Sequence, residues 1–152
     1  MSTEDTWRIN LEQEENFRFR VSFDNPAIPP LITDESAPLG GDVGPNPSRL
    51  LAVAVANCLA ASLIFSLQKF KNNPAPVHAI VDVGMQRNAA NRLRVGHMAV
   101  DIQISQRAAD VVMFERVLAQ FEDFCVVTQS VRSGFPVTVQ VRDADGVVVK
   151  AS

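Results

Sequence analysis

The run from Leu50 to Leu67 is apolar except for Asn57, Ser62 and Ser66, and a segment of that length and composition leaves the chain few ways to fold. Its start is marked: Asn46 suits a helix N-cap, and Pro47 suits the first helical position, where no amide donor is needed. The spacing predicts a helix that is apolar on nearly every side, so it must be covered almost all round, by protein or by lipid. Its length meets the criterion for a membrane span, with Arg49 and Lys69 at its edges. Against lipid stand its many alanines, the mid-run Asn57, and the amphipathic segments around it, which need a soluble core to pack on. No membrane association is expected.

Those segments read as strands. Trp7, Ile9 and Leu11 alternate with polar residues, as do Phe17, Phe19, Val21 and Phe23, with Glu14, Glu15 and Asn16 as the turn between them. From Asp24 to Pro47 the prolines 26, 29, 30, 38 and 45 and the run Gly40, Gly41, Asp42 predict a long loop with neither helix nor strand. After the central helix, Val77 to Met85 and Val95 to Ile104 read as two strands joined by a solvated hairpin from Arg87 to Arg94. A second helix is predicted from about Ala108 to Phe124, with Val111, Val112, Val117, Leu118, Phe121 and Phe124 facing inward and Glu115, Arg116, Glu122 and Asp123 outward. Cys125 to Arg132 reads either as the end of that helix or as a short new one, with Gly134 as its stop. Phe135, Val137, Val139 and Val141 alternate, Asp145 and Gly146 turn the chain, and Val147 to Val149 return. The order ββ, loop, α, ββ, α, ββ predicts an α+β fold, a mainly antiparallel sheet with helices on a face, and 152 residues suit one domain, 1–152.

With 47% apolar residues, 20% charged and a formal net charge of −3, the chain is neither disordered in composition nor a general nucleic-acid binder. Met1 to Arg8 is polar and acidic with no basic region followed by an apolar stretch, so a cytoplasmic location is expected. In that compartment two cysteines are a poor structural framework, and any pairing of them would be chemical. Cys58, on the central helix, reads first as a small core residue. To act as a nucleophile it must be a thiolate, which needs a basic partner; Arg18 and Arg20 are the candidates, though each reads first as a solvated strand charge. Cys125 reads as a second buried thiol or as the one that condenses with a sulfenic acid. His78 and His97 lack metal-ligand spacing and no Gly-rich phosphate loop precedes a helix, so no metal and no cofactor is expected. Arg87, Arg92 and Arg94, without interleaved aromatics, read as a solubilising hairpin and not as a nucleic-acid patch.

The stretch Pro45, Asn46, Pro47, Ser48, Arg49, Leu50, Leu51, running on through alanines into Cys58, resembles the OsmC/Ohr family of osmotically inducible and organic hydroperoxide resistance proteins. The likeness continues through Phe121 to Cys125, the short polar helix after it and the closing valine-rich hairpin. The resemblance implies an OsmC-like α+β fold and an intertwined homodimer, with the two central helices side by side and two active sites at the subunit interface. It implies that Cys58 is the peroxidatic cysteine and Cys125 its disulfide partner, that Arg18 or Arg20 orients the thiolate, that an organic hydroperoxide is the substrate and that an external dithiol is the reductant. Ser48 stands where that family usually carries a glutamate, and a hydroxyl cannot clamp an arginine with two charged hydrogen bonds. Asp34 and Glu35 would offer a substitute carboxylate if their loop folds over Cys58, and otherwise read as solvated loop charges. Val126 takes the place of a proline common after the second cysteine. The alternative to a peroxidase is a non-catalytic OsmC-like protein that holds a small apolar ligand at the dimer interface, its cysteines serving only to pack.

Overall fold

The computed structural model describes residues 6–152. Two compact units divide the chain at Leu50, and each is described by itself. The N-terminal unit is a three-stranded antiparallel sheet in the order β1 (Asn10–Glu15), β2 (Arg18–Ser22), β3 (Leu31–Thr33). The first turn lies two residues later than the alternation of Trp7, Ile9 and Leu11 predicts: Glu14 and Glu15 are in β1, and Glu15 pairs with Arg18 across Asn16 and Phe17. Asn16 takes the left-handed conformation (φ 50°) that asparagine tolerates better than most residues, which fixes the turn there.

β3 corrects the expectation of a loop with neither helix nor strand from Asp24 to Pro47. Leu31 pairs with Val21 and Thr33 with Phe19, a pairing the local composition does not announce because Pro29 and Pro30 stand just before it. The rest of that segment is organised by one carboxylate. Asp34, buried at 4% exposure, accepts the amide hydrogens of Glu35 (2.8 Å), Gly41 (2.9 Å) and Val43 (3.3 Å), so it is not the solvated charge its loop position suggests. Burial pushes its carboxyl up, but those three amides and the nearby Arg18 charge outweigh burial and hold it below the ordinary range. A side chain at Gly40 would run into the Glu35 carbonyl and the Asp34 carboxylate, so the turn closes only on glycine.

The first helix, α1, spans Pro47–Lys69 and starts as its sequence predicts: the Asn46 side-chain oxygen accepts the Arg49 amide at 3.0 Å. Its length and mean hydropathy of 2.3 would suit a membrane span, yet one face is packed as a core helix is. Val55, Leu59, Leu63 and Leu67 have no exposure and lie against a four-stranded sheet in the order β4 (His78–Arg87), β5 (Leu93–Gln103), β6 (Val137–Arg142), β7 (Val148–Ala151). Met98, Val100 and Ile102 of β5 and Val137, Val139 and Val141 of β6 face the helix, the period-2 pattern placing all six on one side. β5 and β6 run parallel and the other pairs antiparallel, so the sheet is mixed. β4 and β5 are longer than predicted, and the hairpin between them shrinks to residues 88–92.

The second helix is the larger departure. In place of one helix from Ala108 to Phe124 the chain forms a 3-10 turn at Ala108–Asp110, α2 over Phe114–Gln120, and a second 3-10 turn at Phe121–Phe124. The cause is Asn72, at the end of the turn after α1. Its buried side chain accepts the Val112 amide at 2.8 Å and donates to the Val112 carbonyl at 3.0 Å, taking both groups that a continuing helix would use. Met113 then turns left-handed (φ 57°) before α2 begins. A separate short helix, α3, follows over Val126–Val131, with Cys125 at its N-cap position.

Candidate functional site

The structure brings two of the sequence-nominated residues together. Cys58 lies half-way along α1, half-buried, and packs against the core cluster that contains Cys125. Cys125, wholly buried, sits between the Phe121–Phe124 turn and α3; both cysteines are free thiols. The Cys125 amide donates to the Glu122 carbonyl (3.0 Å) and its carbonyl accepts from the Gln129 amide (3.0 Å), so the backbone is held on both sides of the sulfur. Its thiol donates to the Thr128 hydroxyl at 3.0 Å.

Burial pushes the Cys125 thiol above its ordinary range, and interaction with the neighbouring Cys58 thiol pushes it further, because two sulfurs side by side do not readily both ionise. Thr128 opposes the rise through its hydroxyl and its amide. Of the pair, Cys58 is the more exposed, and Cys125 is buried with its thiol held above its ordinary range.

Two residues the sequence did not nominate hold this segment. Thr128 is one. Glu122 is the other: predicted on an outward face, it is 8% exposed and binds Arg132 (2.5 Å) and Lys150 (2.5 Å). The prediction fails because it counts a continuous helix through Gln120, where the chain changes to a 3-10 turn and swings Glu122 inward. Lys150 also donates to the Leu118 carbonyl and stands over the Phe121 ring, 4.7 Å from its centre. Burial pushes the Glu122 carboxyl up, but the bonds and charges of Lys150 and Arg132 outweigh it and leave the group below its ordinary range. A sequence signal existed for Thr128, since a side chain three residues past an N-cap is placed to meet it.

The other nominated residues belong to the N-terminal unit. Arg18 binds Glu15 at 2.6 Å, and its buried Nε has no partner among the described residues. Arg20 is half exposed and binds Glu14 at 2.9 Å. Glu35 is half-buried beside Asp34, and Ser48, also half-buried, lies in the first turn of α1 with no side-chain hydrogen bond shown. Arg49 donates to the Ser36 hydroxyl at 2.8 Å. His78 and His97 lie on β4 and β5, both exposed, and no group of three or more metal-ligating side chains occurs among the described residues.

The outward side of α1 forms, with the start of β4, an apolar groove lined by Val53, Asn57, Ala61, Ile64, Val77 and Val81 among others. Neither cysteine lines it.

No curated protein matches the sequence. Solved structures match along almost its whole length. An OsmC-like protein of unknown function from Vibrio cholerae superposes with a TM-score of 0.75 at 11% identity, covering 90% of this chain and 99% of its own. An organic hydroperoxide resistance protein OsmC from Legionella pneumophila gives 0.71 at 16% identity, covering 92% and 98%. An organic hydroperoxide resistance protein from Elizabethkingia anophelis gives 0.71 at 17% identity, covering 94% and 99%. At such identities these likenesses establish the fold. The sequence model of the OsmC-like protein family matches residues 40–140, the stretch that carries α1, both cysteines and most of the mixed sheet. The chain therefore belongs to the OsmC-like family.

Proposed function

We propose that this protein is a cysteine-based peroxidase that reduces organic hydroperoxides, with Cys58 as the attacking thiolate and Cys125 as its disulfide partner. The observation that carries the reading is the thiol pair: a more exposed Cys58 against a buried Cys125 whose thiol is held above its ordinary range, on a fold shared with organic hydroperoxide resistance proteins. Cys58 attacks the terminal peroxide oxygen, the O–O bond breaks to release an alcohol, and Cys58 becomes a sulfenic acid. Cys125 condenses with it, water leaves, and an external dithiol in the cytoplasm reduces the disulfide. In this reading Arg18 or Arg20 is the arginine that orients the thiolate, and Glu35 and Ser48 are the substrate-binding residues. These steps require no cofactor. Apolar surroundings favour alkyl and aryl hydroperoxides: with a dithiol present, cumene hydroperoxide is expected to be consumed about tenfold faster or more than hydrogen peroxide. Equal slow consumption of both would leave an OsmC-like binder of a small apolar ligand.

The working form is a homodimer. Val53 (59% exposed), Phe65 (65%) and Ile80 (57%) lie open on α1 and β4, an apolar surface that a second copy would cover. A second copy laid along α1 would cover the groove. Sedimentation equilibrium is expected to give twice the 16.6 kDa chain mass, and a monomer at micromolar concentration would contradict the arrangement.

A further inference from the structure

Once Cys58 is a sulfenic acid, the second half of the proposed cycle depends on a thiol that is poorly suited to it. Cys125 has no contact with solvent and belongs to the apolar core, and the polar groups that act on its sulfur are those of the other cysteine and of Thr128. Thr128 is itself without solvent exposure, and its hydroxyl lies 3.0 Å from the Cys125 sulfur. A hydroxyl both donates and accepts and can rotate between the two. A threonine one turn into α3 and fully enclosed has no surface role, and its hydroxyl is directed at the reacting atom.

We propose that Thr128 is a catalytic residue for disulfide closure: it accepts from the Cys125 thiol at rest and donates to the same sulfur as negative charge develops on it. This rests on the peroxidase reading above and deepens it. In the step, the Cys125 thiol gives up its proton, the thiolate so formed gives an electron pair to the Cys58 sulfur, and the S–O bond of the sulfenic acid breaks. The departing hydroxide leaves as water with one proton, so that Cys125 is oxidised and the sulfenic sulfur reduced. Without Thr128 the thiolate would form in an apolar enclosure with no donor, where a charged sulfur is least favoured. The titratable group that acts on that sulfur is Cys58 from α1, and the nearest in sequence is Glu122 of the preceding turn, whose carbonyl accepts the Cys125 amide. Cys58 is consumed in the step, and Glu122 is neutralised by Arg132 and Lys150, which leaves Thr128 to set the pH at which closure occurs.

The test follows both steps by rapid acid quench and intact mass after one equivalent of cumene hydroperoxide, across a range of pH, in wild type, Thr128→Val and Thr128→Ser. Valine keeps the shape and removes the hydroxyl; serine keeps the hydroxyl. Thr128→Val is expected to form the Cys58 sulfenic acid at the wild-type rate but to close the disulfide about tenfold more slowly or worse, with the closure profile moved to higher pH. Thr128→Ser is expected to close nearly as wild type. A purely structural role would lower the melting temperature of Thr128→Val without moving the pH profile. Wild-type closure and an unmoved profile in Thr128→Val overturn the inference alone, whereas a wild type that forms no sulfenic acid overturns the peroxidase reading with it. Should the valine protein not fold, Thr128→Ala is read in the same way. Thiolate absorbance of Cys125 in a Cys58→Ser background gives a second, peroxide-free readout, expected to titrate at higher pH in Thr128→Val.

Discussion

Replacing Cys58 by serine is expected to lower the rate of organic hydroperoxide consumption by about three orders of magnitude or more while leaving the melting temperature nearly unchanged. The large effect follows from the nucleophile: a serine hydroxyl is un-ionised at neutral pH and is a far weaker nucleophile than a thiolate. The small effect follows from packing, since oxygen for sulfur at a half-buried site leaves Leu59, Leu63 and their neighbours where they are. Cys125→Ser should behave differently. Its Cys58 sulfenic acid still forms, but with no thiol behind it the first turnover is not followed by a second, and further peroxide carries Cys58 to the irreversible sulfinic state. Peroxide consumption without added thiol separates the variants: none from the first, and from the second a stall after two equivalents, one to form the sulfenic acid and one to form the sulfinic.

Glu122→Gln is the substitution expected to cost most in stability. The carboxylate is almost enclosed and its two partners, Arg132 and Lys150, are themselves only 27% and 19% exposed along their side chains. Removing the negative charge leaves two cations facing a neutral amide with limited water, a loss of about 2–4 kcal/mol. It also unties three elements at once, because Glu122 joins the Phe121–Phe124 turn to α3 through Arg132 and to β7 through Lys150. The cost should depend on pH in one direction. The folded carboxyl titrates below its ordinary value of 4.5, so its contribution is complete above that pH and is lost as the pH falls through the lower folded value. Urea midpoints of wild type and Glu122→Gln are expected to differ most at neutral pH and to converge in acid. A gap that stays constant down to strongly acidic pH would show that Glu122 is not the group responsible.

How much of this was legible depends on how local each feature is. α1 was readable to within a few residues because its signals are all in the sequence beside it: Asn46 to cap, Pro47 to begin, and an unbroken apolar run. The closing hairpin was readable for the same reason, with alternating valines on either side of Asp145 and Gly146. β3 was not, since Leu31–Thr33 become a strand only by pairing with β2 across an intervening loop. The second helix misled because its apolar stripe is real, but Asn72 from forty residues earlier captures Val112 and breaks the period at that point. Asp34 and Glu122 misled for a related reason: charge alone reads as solvent exposure, and only the amides around the one and the cations around the other show why each is buried. The cysteines were identifiable as candidates, whereas their meeting depends on α1 packing against the segment from Phe121 to Val131, which no spacing of 58 and 125 discloses.

The central claim is that Cys58 and Cys125 form one redox pair driven by a peroxide. It is tested most directly by intact mass of the fully reduced protein after one equivalent of cumene hydroperoxide, with Cys58→Ser and Cys125→Ser alongside. The predicted result is rapid loss of two hydrogens in the wild type, no change in the Cys58 variant and one added oxygen in the Cys125 variant. Unchanged mass in all three, or oxidation that does not require Cys58, would contradict it.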